Sequence, residues 1–362
     1  MRYNEFKILT EAKVGREYNH LEDLVFVDGS SGAIRATDIL DKMGSDNSDI
    51  AIKWDGYPTM YWGRESDGRF VLVGKNGWMK NQKSYSADEL RNFITSTGKG
   101  EDWRERFGND MANIFDVMQR STPPNFRGYV YGDLLYYPGK PYKAQDGKIV
   151  FTPNLVTYTV DANSKLGQRM ADTSVGVVVH TKYGSFGDKA GQPISNVQDL
   201  NQGDALVMGQ TYVTHQPSVD TSEVANIRTY ARKNAKAIDS FLEPRPGLSD
   251  MKNIIYTYVN QTSKAGNLAG IEKGFFKWLK GSKVSANKQA KIAQMNEENP
   301  TALPAIFSLV KQIMTAKDNI IAQLDDAPAD VKQSTGGEKG GEGYVALGSK
   351  TKLVPRTRWT PA

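Results

Sequence analysis

Residues 49–56 read Asp-Ile-Ala-Ile-Lys-Trp-Asp-Gly, a short apolar run that ends in a lysine, a carboxylate and a glycine. Because side chains alternate along a strand, the two isoleucines face one side while Lys53 and Asp55 share the other. Gly56 then permits a close approach of the backbone. A lysine beside a carboxylate at a strand end can serve as a nucleophile once it has lost its proton. A surface β-turn with an ion pair is the alternative interpretation.

Four further segments place charged side chains on or beside a predicted strand. They contribute Lys75, Asp133, Glu342, Lys350 and Lys352. With Lys53 and Asp55, the set holds four lysines and three carboxylates, which together could bind a triphosphate and Mg²⁺. A solvated sheet face is the alternative for each segment taken alone.

The pattern of the chain changes along its length. Short β-rich runs separated by Gly, Pro, Asn and Asp fill residues 48–215, and the helical period takes over from 221 to 325. Residues 331–341 are rich in glycine and predict a flexible connection before two last strands. The predicted strands before the helical part are 49–54, 70–74, 129–137, 155–160, 175–181 and 205–213, with a helix at 86–95 capped by Ser86.

In this order, the segments resemble motifs I, Ia, III, IV and V of the covalent nucleotidyltransferases, the superfamily of ATP-dependent DNA ligases, RNA ligases and mRNA capping enzymes. The resemblance covers residues 48–160 and 340–353. It implies that Lys53 takes the nucleotide and that Lys350 and Lys352 stabilise the phosphates. It also implies that ATP contacts Asp55, Gly56, Arg64, Lys75, Asp133, Tyr158 and Glu342, with Asp133 and Glu342 holding Mg²⁺.

The sequence departs from the superfamily pattern in several places. Pro58 stands where DNA ligases carry an arginine, for which Arg64 is the candidate substitute, and Asp133 stands where a glutamate is usual. Tyr158 is the candidate for the aromatic residue that stacks on adenine, and a core tyrosine is the equal alternative. Ten residues follow Lys352, so we expect no C-terminal oligonucleotide-binding (OB) barrel. These departures make the pattern most similar to phage RNA ligases.

The sequence thus predicts an α+β protein. Its centre would be an antiparallel-sheet nucleotidyltransferase core, of the ATP-grasp-like ligase type, with a mostly helical insertion. The predicted parts are an N-terminal segment at 1–47, the core at 48–220, the helical insertion at 221–330, and a linker with the final core strands at 331–362.

The helical insertion is basic. Between Lys264 and Lys291 it contains seven lysines and one acid, Glu272, with Phe275, Phe276 and Trp278 interleaved. Lysines neutralise phosphates and aromatic rings stack on unpaired bases, which favours nucleic acid as a partner. Packing of the aromatic rings in the helical block, with the lysines merely solvating it, is the alternative.

The composition excludes several kinds of site. The chain of 362 residues has no cysteine, which excludes disulfides, thiolate zinc sites and cysteine nucleophiles. Its three histidines are too few for a convincing metal cluster. No apolar run approaches the roughly 18 residues that a membrane span needs, so we expect no membrane partner. The net charge of +5 suits a polyanion.

The N-terminal residues 1–12 read Met-Arg-Tyr-Asn-Glu-Phe-Lys-Ile-Leu-Thr-Glu-Ala and lack the apolar stretch of a secretory signal. They resemble the capsid-targeting peptides of internal head proteins in large contractile-tailed phages, which are cut after a Leu-x-Glu pattern. The resemblance implies a peptide at 1–11, contact with a phage capsid or prohead protease, and a location in the host cytoplasm or inside a phage head. A frayed N-terminal helix is the alternative.

These observations together predict an ATP-dependent polynucleotide ligase that depends on Mg²⁺. Lys53 would form a lysyl-AMP intermediate, and the enzyme would join 5′-phosphate to 3′-hydroxyl ends of nucleic acid, with RNA favoured over DNA. The alternatives are a DNA nick ligase, a nucleotidyltransferase that caps RNA or modifies a protein, and a non-enzymatic virion protein that retains the fold.

Overall fold

The computed structural model describes residues 18–96, 102–194, 196–200 and 203–357. The predicted targeting peptide at 1–11 lies outside these residues. The strands are β1 Asn19–His20, β2 Ile50–Ile52, β3 Thr59–Arg64, β4 Phe70–Gly74, β5 Gly128–Tyr136, β6 Lys143–Gln145, β7 Lys148–Phe151, β8 Val156–Asp161, β9 Val175–Tyr183, β10 Gln192–Pro193, β11 Ala205–Met208, β12 Val331–Thr335, β13 Glu338–Lys339, β14 Tyr344–Ala346 and β15 Thr351–Leu353.

Helices and strands occupy largely separate parts of the sequence, which confirms the predicted α+β class. Among the described residues, no helix is both long and apolar enough to pass through a lipid bilayer. The α-helices are α1 Leu24–Ser45, α2 Lys75–Met79, α3 Ala87–Ser96, α4 Asp102–Ser121, α5 Lys165–Ala171, α6 Thr221–Lys233, α7 Ala235–Leu242, α8 Met251–Lys264, α9 Ile271–Gly281, α10 Ala286–Glu298 and α11 Ala302–Asp326.

The chain forms two compact units. Unit one holds the described residues up to Ala51, those from Tyr212 to Ala327 and those from Gly343 onward, and unit two holds 52–211 and 328–342. This division differs from the predicted boundaries, because β14 and β15 lie in the unit of the helical block. Their hydrogen-bonded neighbours explain this placement, since β15 pairs with β1 and the sheet order is β1-β15-β14-β2.

The larger sheet of unit two has the order β10-β9-β5-β3-β4, with β11 added beside β9. Its neighbouring strands are antiparallel except for the pair β9 and β11. One face packs on α3 and α4, where Ser86 caps α3 as predicted by accepting from the N–H of Glu89 at 3.2 Å. The buried core on this face includes Met60, Trp62, Leu72, Leu90, Ile114, Phe115, Val130 and Leu134.

The second sheet of unit two has the order β13-β12-β8-β7-β6 and is antiparallel throughout. Its strands β12 and β13 correct the prediction of a flexible connection at 331–341. Gly336 and Gly337 have φ values of 60° and 89°, which suit the tight turn of a β-hairpin. The β-hairpin is held in place because β12 pairs with β8 along five residues, from Val331 opposite Val160 to Thr335 opposite Val156.

Unit one is built around α11, whose apolar stripe packs against α1, α6 and α7. The stripe predicted from the helical period is confirmed, because all of its members are buried: Ile306, Val310, Ile313, Ile320, Ile321 and Leu324. In α9, Phe275 and Leu279 are buried while Phe276 remains 40% exposed. The aromatic residues of the basic segment therefore divide between the core and the surface.

Candidate active site

The lysine-bearing loop between β2 and β3 lies against β5. The N–H of Tyr57 donates to the carbonyl of Leu134 at 2.8 Å, and the N–H of Leu134 donates to the carbonyl of Pro58 at 3.0 Å. A Cβ atom at Gly56 would lie 2.6 Å from the Cβ of Asp133, so a residue with a side chain cannot replace this glycine without a shift. The glycine of the Lys-x-Asp-Gly pattern thereby brings the loop next to Asp133.

Asp55 is buried and fixes this loop to the segment before β8. Its Oδ1 accepts from the side-chain amide of Asn154 at 3.0 Å. Its Oδ2 accepts from the N–H groups of Leu155 and Val156 at 2.9 and 3.3 Å. With both oxygens engaged inside the fold, Asp55 positions the loop, and the structure does not support its predicted contact with a nucleotide.

Tyr158 lies beneath the loop as a core residue. Its ring is fully buried, 4.5 Å from the ring of Trp54 and stacked on Phe151 at 5.4 Å. The N–H of Asp55 donates to its hydroxyl oxygen at 2.6 Å. Burial raises the pKa of Tyr158 well above its ordinary value, and the nearby carboxylates of Glu342 and Asp55 add to the shift. A ring enclosed in this way cannot stack on adenine, so the structure favours the core alternative.

Lys53 forms an ion pair with Glu342 inside unit two. The side chains of Lys53 and Glu342 are 25% and 11% exposed, so the pair is shielded but can be reached from solvent. Glu342 follows the β12–β13 hairpin, and β12 pairs with the strand that carries Tyr158. The second sheet of unit two therefore brings the carboxylate from the end of the chain to the lysine.

Asp133 lies within β5, opposite Thr59 of β3, and has two side-chain partners. The hydroxyl of Thr59 donates to its Oδ1 at 2.7 Å, and Nε2 of His180 lies 3.1 Å from its Oδ2. His180 is brought here by an irregularity in the β5–β9 pairing, where Tyr131 is opposite Thr181 and the next residue is opposite Val179. Such bulges re-aim side chains, and here the bulge adds an imidazole to the predicted carboxylate.

A row of aromatic rings continues from Asp133 along the same face of the sheet. The rings of Tyr61 and Tyr131 stack at 5.1 Å, and Tyr61 also stacks on Trp78 at 4.4 Å. Tyr131 lies 5.3 Å from the ring of His180. Tyr61 and Tyr131 are partly exposed, and partly exposed rings of this kind can stack on a base. Residues outside the predicted set thus supply an aromatic surface.

Arg64 and Lys75 are two further residues that were predicted to contact ATP. The guanidinium of Arg64 donates to four backbone carbonyls, those of Gly68, Gln119, Thr122 and Pro123, and so closes the C-terminal end of α4. This role leaves Arg64 unsuited to substitute for the arginine missing at Pro58. Lys75 is exposed and begins α2, directly after Gly74, which pairs with Met60 in the sheet.

Lys350 and Lys352 belong to unit one, whereas the other predicted site residues belong to unit two. Lys352 lies in β15, paired with His20 and Val345. Lys350 lies in the turn before that strand with a φ of 51°, so the two lysines do not both occupy strand positions as predicted. Their assignment to the phosphates stays a prediction.

His180 and Thr59 are the site residues that were missed from the sequence. The only local signal for His180 is a polar residue at the end of the apolar run Val177–Val179. The bulge that directs its ring toward Asp133 depends on the pairing of β5 with β9, which no single segment reveals. Thr59 follows Pro58 and gives no signal at all.

Asp133 and Glu342 are the carboxylates predicted to hold Mg²⁺. In the part of the chain that the structure describes, no group of three or more His, Asp or Glu side chains could hold a metal ion. Mg²⁺ keeps several waters and is bound through one or two carboxylates together with substrate phosphates. Asp133 is partly exposed and Glu342 is nearly buried, and their assignment to Mg²⁺ stays a prediction.

The model of a protein family described as a family of unknown function (DUF6267) matches residues 17–362. No curated protein and no solved structure matches the chain.

Proposed function

This chain belongs to the family of unknown function DUF6267, and we propose that it is an ATP-dependent polynucleotide ligase with Lys53 as its nucleophile. The observation that carries the proposal is the ion pair between Lys53 and Glu342, held in a loop that contacts both sheets of unit two. A buried Asp55 and a sterically required Gly56 fix this loop. The structure therefore explains why an aspartate and a glycine follow the lysine in the pattern Lys-x-Asp-Gly. RNA ends are favoured over DNA ends because the motif pattern resembles that of phage RNA ligases.

The chemistry begins with a neutral lysine. The Nζ of Lys53 must release a proton, and the adjacent Glu342 carboxylate is the nearest acceptor shown for it. Nζ then attacks the α-phosphorus of ATP, a P–N bond forms, and the bond to the β-phosphate oxygen breaks to release pyrophosphate. AMP passes from Lys53 to a 5′-phosphate end, which regenerates the lysine. A 3′-hydroxyl finally attacks that end, and AMP leaves as the strands are joined.

The remaining residues of the site would bind and orient the substrates. Asp133, held by Thr59 and His180, presents a carboxylate whose orientation is fixed on both sides. The rings of Tyr61 and Tyr131 offer a surface for a base. When bound, Mg²⁺ would neutralise phosphate charge as it develops in the transition state. Asp133 and Glu342 are the residues that would hold it.

Labelling with ATP tests the proposal directly. We expect incubation with α-³²P-labelled ATP and Mg²⁺ to leave a radioactive band on a denaturing gel, because the lysyl-AMP bond survives denaturation. Lys53→Ala should abolish the band, whereas Lys143→Ala, at an exposed position in β6, should keep it. An unlabelled wild-type protein would contradict the proposal and favour a virion protein without turnover. Label persisting in folded Lys53→Ala would exclude Lys53 as the nucleophile.

The same assay separates the alternatives. Labelling by α-³²P-labelled GTP in preference to ATP would favour an enzyme that caps RNA. If ATP is preferred, incubation of the labelled protein with nicked RNA or nicked DNA duplexes decides the nucleic acid. Sealing of nicked DNA alone would overturn the preference for RNA and leave the ligase proposal standing.

A further inference from the structure

A broad groove opens in the helical block of unit one. Its walls are α8, α9 and the start of α10, and its volume is about 1310 Å³. This volume exceeds the roughly 300–1000 Å³ of ordinary small-molecule pockets. The groove is therefore large enough for an extended chain, and every residue that lines it belongs to unit one.

The charge of the groove is positive. Lys277, Lys283 and Lys288 line it, and the single acid among its described lining residues is Asp250. Lys288 is neutralised by Asp250, because its ammonium donates to Oδ2 at 2.6 Å. Lys277 and Lys283 are exposed and form no ion pair with a described residue, so two unneutralised cations remain at the groove.

The floor of the groove is open and partly aromatic. Gly270 and Gly281 line it, and a Cβ atom at either position would meet nothing within 4 Å. Packing does not require glycine there, and the missing side chains keep the groove wide. Trp278 also lines the groove, partly exposed, with its ring steadied by stacking on Phe275 at 6.0 Å and by donation of Nε1–H to Gln261 at 2.6 Å.

From these features we infer that the groove binds a single strand of nucleic acid. Unneutralised lysines attract phosphates without reading sequence, and a steadied indole ring is a stacking surface for an unpaired base. A duplex keeps its bases inside and its phosphates outside, so it would rest on the rim and leave Trp278 without a partner. The inference rests on the proposed function, since it assigns a binding surface for the strand whose end a ligase would join.

The test is the binding of fluorescein-labelled twelve-nucleotide strands, followed by anisotropy over a series of salt concentrations. We expect wild-type protein to bind oligouridine and oligothymidine more tightly than the matching duplex. The double variant Lys277→Ala/Lys283→Ala should weaken binding about tenfold and lower the slope of log affinity against log salt by about 1.4, because each phosphate contact on a single strand contributes about 0.7.

The matched control is Lys236→Ala/Lys311→Ala, which removes two exposed lysines of unit one that do not line the groove. This control should keep the wild-type affinity and salt slope. Equal weakening by both double variants would overturn the inference, and so would duplex or polyglutamate binding as tight as that of a single strand. Circular dichroism confirms that each variant is folded.

These experiments distinguish a failure of single-strand binding from a failure of the labelling of Lys53. Labelling of Lys53 by ATP needs no nucleic acid, so Lys277→Ala/Lys283→Ala should label normally while joining strands slowly. Wild-type protein that binds single strands but takes no label would contradict the proposed ligase and leave the groove standing. Protein that takes the label but binds no single strand would contradict the inference about the groove and leave the proposed ligase standing.

Discussion

At the scale of single residues, the Lys-x-Asp-Gly pattern combines three different roles. Lys53 is the partly exposed member and pairs with Glu342. Asp55 is enclosed and holds the loop, while Gly56 lets the loop approach β5 to a distance that a side chain would prevent. Only the lysine is therefore placed for chemistry, and the other two residues determine where it lies.

The ion pair itself leads to a prediction. We expect Glu342→Ala to keep the fold but to slow labelling of Lys53 by ATP, with a loss of transition-state stabilisation of roughly 2–4 kcal/mol. The reason is that the variant removes both the nearest carboxylate to the lysine and a candidate ligand of Mg²⁺. Rapid-quench labelling at saturating ATP gives the rate.

The control for this prediction is Glu338→Ala, which removes an exposed carboxylate from β13 in the same β-hairpin. The control should label at the wild-type rate. If Glu342→Ala also labels at the wild-type rate, Glu342 has no part in the first step of the reaction.

At the scale of elements, the site depends on anchors between segments. The carboxylate of Asp55 connects the lysine-bearing loop to the segment that enters β8. The β12–β13 hairpin then extends the sheet beyond β8 and delivers Glu342. A chain segment that looks flexible by composition becomes ordered here because its backbone completes a sheet.

We expect Asp55→Ala to destabilise the protein by about 3 kcal/mol, since it leaves the side-chain amide of Asn154 and the backbone N–H groups of Leu155 and Val156 without their acceptor. Urea unfolding followed by tryptophan fluorescence measures the change, because Trp54 lies next to this position. Asp172→Ala removes an exposed carboxylate from the same unit and should change stability little. A loss below about 0.5 kcal/mol for Asp55→Ala would show that the anchor contributes nothing.

At the scale of the whole molecule, unit one contains a buried network of charges. Lys317 is fully buried and its ammonium donates to both oxygens of Glu22 at 3.0 Å, while Arg356 pairs with Glu22 and Asp23. His20 lies beside this network, and its Nδ1 is buried without a hydrogen-bond partner among the described residues. Such a network makes the stability of the unit sensitive to pH.

Burial lowers the pKa of His20 well below its ordinary value, and the charge of Arg356 adds to the shift. A histidine with a lowered pKa is neutral in the folded state, so it costs stability as pH falls below its unfolded pKa of about 6.5. We expect the difference in unfolding free energy between wild type and His20→Gln to fall by about 1.4 kcal/mol from about pH 7.5 to about pH 5.5.

Comparing wild type with His20→Gln isolates the contribution of His20 to the pH dependence of stability. Burial also raises the pKa of Asp23 to about 6, and this shift acts in the opposite direction because the folded state then gains protons as pH falls. Asp23 is present in both proteins, so its contribution cancels in the difference. Urea unfolding at the two pH values measures the difference in unfolding free energy between wild type and His20→Gln. If that difference does not change with pH, the pH sensitivity belongs to other groups.

The last prediction concerns the N-terminal segment. If residues 1–11 form a capsid-targeting peptide, the mature protein in a phage head begins at Ala12. We expect deletion of these residues to leave labelling by ATP unchanged, because a peptide that is removed during maturation is not needed by the mature protein. Mass spectrometry of purified virions measures the mature end. An intact Met1 in mature heads would exclude processing without affecting the proposed ligase.

The elements predicted correctly from the sequence are those whose signal is local. Short β-rich runs located β4 at the predicted residues and most of β5 and β9, the helical period located α11 with its buried stripe, and Ser86 marked the start of α3. These features need only neighbouring residues, because side-chain periodicity and capping act within a few positions. The same local logic found Lys53 at the end of its strand.

Which side chains are available for chemistry depends on the tertiary structure. It placed His180 against Asp133 through a bulge, paired Lys53 with Glu342, and enclosed Asp55 and Tyr158. It also assigned β14 and β15 to unit one, where β15 pairs with β1 and β14 lies between β15 and β2 in one sheet. These outcomes depend on strand register and on packing between segments far apart in the chain. A local sequence pattern contains no information about either.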